Sequence, residues 1–199
     1  MKFFDGQQEH LTLSLEQVKT LALPERNQVF WAFAPKTAHS VAEVASITRK
    51  SRQTVHYHVA ALIKVGLLIP VGALKKRSRT EIQYAWAAAD YTQSLREVSE
   101  EFHQQSIETF RATTRVMNRE VDQLFSDAKE NPDIFAESIF RHIHLNLEPE
   151  QAKAMRSKIR EIMKEAESLH SESPNAVRYH FLVYANPALR TRSRRGKNE

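Results

Sequence analysis

Residues 51–68, SRQTVHYHVAALIKVGLL, combine helical spacing with hydrogen-bond donors and contain no carboxylate. Val55, Val59 and Leu62 recur at steps of four and three, which makes an apolar stripe. The polar remainder holds Ser51, Arg52, Gln53, Thr54, His56, Tyr57 and Lys64. Gln53, Tyr57, Ala60 and Lys64 fall opposite the stripe, with His56 beside them and His58 nearer the apolar side. Donors without acids suit an acceptor-rich polyanion. On a DNA duplex, Arg typically donates to guanine edges and Gln pairs with adenine. Thr54 and Tyr57 can donate to phosphates or bases, and Ala60 is small enough to permit close approach. A carboxylate on such a face would be repelled by the phosphate strands on either side.

Other chemistries find weaker support. His142 and His144 look like a ligand pair, as do His56 and His58. Residues two apart on a helix point about 200° from each other, so neither pair can share one ion. There is no Cys, hence neither a disulfide nor a thiolate metal site. With 4 Gly in all, the chain shows no phosphate-cradling loop, and no spacing joins its Ser, His and Asp residues into a nucleophile site. The expectation is a binding protein, not an enzyme, without cofactor or metal.

Charge follows the same division. The chain has 29 basic and 24 acidic residues, and from Val44 to Thr80 there are 8 basic residues and no acid. The tail 190–199 adds 5 basic residues against 1 acid. An acidic body thus carries a basic window and a basic tail, a distribution suited to a polyanionic partner. No apolar run approaches the ~20 residues of a membrane span, and the N-terminus turns polar too early for a signal peptide. A cytoplasmic location without membrane contact is expected.

These residues need elements to hold them. Residues 14–34 read as one helix or two, broken at Pro24. Ser40 and Glu43 form a capping box for a short helix from Val41 to about Ile47. TRK is a tight connection, Ser51 caps the second helix, and Gly66 ends it. LLIPV and EIQYAW read as two strands joined by the basic loop GALKKRSRT, with Pro70 restricting its strand to an edge or an irregular position. From Tyr91 to Lys129 the apolar positions fit a long helix. Leu95, Val98, Phe102, Phe110, Met117, Val121 and Leu124 would form its dimerisation seam; the alternative is a helix packed within its own chain on the C-terminal segment. Asn131-Pro132 starts another helix, Pro149 a further one, and VRYHFLVY reads as a strand.

Helix, tight turn, helix and basic-tipped hairpin is the order of a winged helix-turn-helix. SVAEVAS followed by SRQTVHYHVAALIKVGLLIPVG resembles the ArsR-like winged-helix transcriptional regulators, through Val41, Glu43, Ala45, Ser51, Thr54, Val55, His58, Leu62, Gly66 and Leu67. The likeness runs from about Leu21 to Trp86. LEPEQAKAMRSKIREIMKE and RYHFLVYANP are loosely similar to the C-terminal extension of some members. The family usually has Gly and then an apolar residue where this chain has Arg49 and Lys50. The resemblance implies a DNA-binding regulator, a repressor more than an activator, that works as a homodimer.

The expected fold is mainly α with a small β-wing: a winged helix-turn-helix over residues 10–90, a helical dimerisation and sensing region over 91–189, and a disordered basic tail over 190–199. The expected partners are double-stranded DNA and a second copy of the chain, with any effector unidentified. Contacts are expected from the second helix and from Arg49, Lys50, Lys75, Lys76, Arg77 and Arg79 of the turn and wing. The alternative is a protein-interaction module on the same scaffold.

Overall fold

The computed structural model describes residues 4–33, 37–76, 79–93, 99–130 and 145–169, with the isolated positions 133, 139, 173 and 183. The chain divides into two compact units, Met1–Phe140 and Arg141–Glu199.

In the first unit, strand β1 (Gln8–Thr12) leads into helices α1 (Leu15–Leu21) and α2 (Pro24–Ala32). Ser14 and Gln17 cap α1 reciprocally, and Pro24 sits at the start of α2, where its missing N–H costs nothing. The two-helix reading of residues 14–34 is therefore the observed one. Strand β2 (His39–Ser40) precedes α3 (Val41–Thr48), and α4 (Arg52–Lys64) follows after three residues. The Ser40–Glu43 capping box is formed, and Gly66 ends the α4 turn at φ 70°.

Strands β3 (Leu68–Lys76) and β4 (Arg79–Trp86) form an antiparallel hairpin, with β2 on the far side of β4. Two sequence expectations are corrected here. GALKKRSRT is not a loop, because the ladder continues to the Lys76–Arg79 pair. Polar residues alternating on an exposed ribbon leave no apolar period to read. Tyr91 does not start a helix either: it lies in β5 (Ala88–Thr92), which pairs in parallel with β1. Pro70 behaves as expected, on an edge strand beside a register shift between Pro70 and Gly72.

Long-range polar bonds fix this arrangement. The Tyr91 hydroxyl donates to the Leu67 carbonyl at 2.9 Å and accepts from the Ala88 N–H at 3.0 Å. Burial pushes its pKa up to about 12. The Trp86 indole donates to the Phe30 carbonyl at 2.9 Å and stacks on the Phe30 ring at 5.2 Å. Around this aromatic pair the core gathers Val18, Val29, Phe33, Val44, Val55, Leu62 and Leu67.

Helix α5 (Glu100–Asp127) starts at the Ser99 cap and packs on α1 and α2. Phe102, Ser106, Thr109, Ala112 and Val116 form its buried face. The Thr109 hydroxyl donates to the Val18 carbonyl at 2.8 Å. Phe102 therefore belongs to the core of its own chain, a correction to its place on a dimer seam. Leu95 and Val98 lie outside the described residues.

In the second unit, α6 (Pro149–Ser168) is an amphipathic helix with Pro149 in its first turn. Met155, Ile162 and Leu169 on its apolar side are exposed. Apart from the isolated positions 133, 139 and 183, the helix expected after Asn131 and the strand VRYHFLVY lie outside the described residues, as do the pair His142 and His144 and the tail 190–199. Among the described residues no helix is long and apolar enough to cross a membrane.

Candidate nucleic-acid interface

Helices α3 and α4 are joined by Arg49, Lys50 and Ser51. Arg49 takes the left-handed conformation, φ 54° and ψ 36°, and its N–H closes the end of α3 on the Ala45 and Ser46 carbonyls. This is the position where glycine usually ends a helix. Arg49 thus performs the chain reversal itself, with its side chain exposed.

Ser51 then caps α4. Its hydroxyl accepts from the Thr54 N–H at 3.0 Å and lies 2.8 Å from the Thr54 hydroxyl. Both hydroxyls are engaged in this cap, so Thr54 is first a cap partner, although it remains exposed.

Val55, His58, Val59 and Leu62 are the buried positions of α4. Arg52, Gln53, His56, Tyr57, Ala60 and Lys64 are all exposed. At 100° per residue these six span an arc of roughly 140°. It carries three groups of basic character and no acid, and Tyr57 is 64% exposed. Gln53 and Tyr57 therefore face solvent, as direct base reading requires.

The hairpin stands beside this arc. Arg52 and His56, one turn apart, line an open groove of about 290 Å³ with Thr80, Ile82 and Tyr84 of β4. Lys75 pairs with Thr80 in the ladder, and directly opposed residues share one face of a ribbon. Lys75 is thereby on the same face of the ribbon as Thr80. Glu81, the first acid after the basic window, also lines the groove, so the carboxylate-free surface stops at Thr80. Lys76 and Arg79 form the last pair of the ladder. Arg77 lies outside the described residues.

His58 takes no part in the exposed arc. It is 5% exposed, and its Nδ1 has no hydrogen-bond partner among the described residues. Burial pushes its pKa below 6.5. The positive charges of Arg26 and Lys50 push the same way, and Glu25 opposes them.

One cation near α4 escaped the sequence reading. Arg26 of α2 places its guanidinium carbon 6.0 Å from the centre of the Tyr57 ring. It lies outside the acid-free window on another helix, and no local motif announces it. Only the packing of α2 against α4 brings it here.

Residues 21–71 match the family model of a helix-turn-helix domain. The matched span runs from the end of α1 through α3 and α4 into β3. It covers the turn and the whole exposed arc, and it points to DNA as a partner and to transcription regulation as the class of function. No curated protein matches the chain.

Proposed function

We propose that this chain is a sequence-specific, double-stranded-DNA-binding transcriptional regulator of the ArsR-like winged-helix type. It acts in the cytoplasm as a homodimer on a palindromic operator, as a repressor, and binds without catalysing a reaction. The observation that carries this reading is the exposed, acid-free arc of α4 with Thr80 of the hairpin, the ladder partner of Lys75, beside it.

In this reading α4 enters the major groove. Arg52 and Gln53 meet base edges, and Tyr57 donates to a base or a phosphate. The hairpin acts as a wing along the sugar-phosphate backbone, where Lys75 supplies charge without sequence preference. Arg49 and Lys50 meet the strand that passes the turn.

One such module has too few base contacts for tight, selective binding. Two copies held one helical turn apart, ~34 Å, would read a palindrome. Helix α5 offers a seam for that pairing. Ile107, Phe110, Thr114, Met117, Val121 and Leu124 alternate at steps of three and four, the spacing of a coiled coil. Ile107 is 44% exposed and Phe110 45% exposed, on a different side of α5 from its buried face.

A competition mobility-shift assay tests the reading. Replacing Gln53 and Tyr57 together by Ala should lower the preference for a selected duplex over random duplex by roughly tenfold, since a base-specific contact discriminates by about 1–3 kcal/mol. An equal loss on both duplexes would mean that α4 does not read bases.

A second reading, a protein-interaction module, is favoured by the exposed apolar side of α6, where Leu169 is 75% exposed. Failure to retard random duplex at low salt would favour the module.

A further inference from the structure

Arg26 is half-buried, yet its Nε is fully buried and has no hydrogen-bond partner among the described residues. A buried donor left unpaired costs free energy, so Nε does not anchor the guanidinium within the chain. The adjacent carboxylate does not neutralise it. Glu25 reaches instead toward Arg119 of α5, at 3.5 Å.

What Arg26 does meet is Tyr57, at 6.0 Å from its ring centre. The same ring contacts the His58 ring edge-on at 5.3 Å, and His58 is set in the core. A core imidazole and a guanidinium together restrict the orientation of an otherwise solvent-exposed tyrosine. A guanidinium near an aromatic ring still has N–H groups for a phosphate, because its donors lie in its own plane.

We propose that Arg26 belongs to the duplex-binding surface, as a positioning residue for Tyr57 whose guanidinium also meets a phosphate at the α2 edge of α4. This inference rests on the DNA-binding reading of α4. The terminal nitrogens of the guanidinium would meet the phosphate, while Nε stays buried under the side chain. This contact also extends the basic footprint beyond the acid-free window, onto a helix outside the α3–α4 pair.

The test uses the full chain with Arg26→Met, which keeps the apolar stem, and Arg26→Lys, which keeps the charge, each alone and with Tyr57→Ala. Affinity for a selected duplex and a random duplex is measured across a salt series, with circular dichroism and melting curves as folding controls. Arg26→Met should weaken binding to both duplexes by about tenfold and lower the slope of log affinity against log salt by about 0.9. Arg26→Lys should restore that slope but not the full preference for the selected duplex. Arg26→Met should cost less affinity when Tyr57 is already Ala.

A folded Arg26→Met with unchanged affinity and slope overturns the inference and leaves the DNA-binding reading standing. A wild-type chain that retards neither duplex overturns both. If Arg26→Met does not fold, Arg26→Lys decides: a full slope with reduced preference supports the inference, and a full slope with full preference overturns it.

Discussion

The left-handed turn at Arg49 sets a local cost against a charge. An ordinary side chain in that conformation is disfavoured by roughly 1 kcal/mol relative to glycine. Arg49→Gly should therefore raise stability by about 0.5–1 kcal/mol in chemical denaturation and, on the proposed function, weaken duplex binding. A loss of stability would show that the Arg49 side chain holds the turn together. The departure at residue 49 was legible in the sequence, because a position that usually holds Gly held Arg. The role of His58 was legible only as a lean toward the apolar stripe. Its depressed pKa arises from burial and from Arg26 on another helix. The unfolded chain takes up a proton near pH 6.5, whereas the folded chain resists it to lower pH. His58 thus contributes stability above that pH and loses it progressively as pH falls below 6.5. Urea midpoints at neutral and mildly acid pH should show the loss, and His58→Leu should reduce it. An equally steep loss in His58→Leu would assign the pH dependence to other groups.

At the scale of elements, caps and helix breaks marked α2 to α4, since Ser40, Ser51 and Pro24 act within one turn of their own helix. Long-range pairings were not legible in this way. Tyr91 fits the helical period of the residues after it, yet it is held in β5 by bonds to Leu67 and Ala88 and by pairing with β1. Nothing local to residue 91 records a strand some 80 residues earlier in the chain. The hairpin was recognised but read as too short, and its true length carries Lys75 beside Thr80, which lines the groove. On the proposed function, Lys75→Ala should weaken binding to every duplex alike and lower the salt slope by about 0.9. An unchanged slope would remove this strand from the contact surface.

At the scale of the molecule, the charge asymmetry was plain from composition. The placement of α5 was not. Its residues 102–116 pack on α1 and α2, and this draws Phe102 into the core. The same helix carries a second apolar stripe from Ile107 to Leu124, and both faces meet the same helical periodicity in the sequence. Only contacts with α1 and α2 distinguish the face buried within the chain from the one proposed to pair with a second copy. The central claim joins these scales: the acid-free arc of α4, with the hairpin beside it, reads duplex DNA, and two copies read it with two-fold symmetry. Selection of bound duplexes from a random pool, followed by sequencing, tests this most directly. The account predicts enrichment of a palindrome whose half-sites lie about one helical turn apart. A pool that remains random after repeated selection would contradict it.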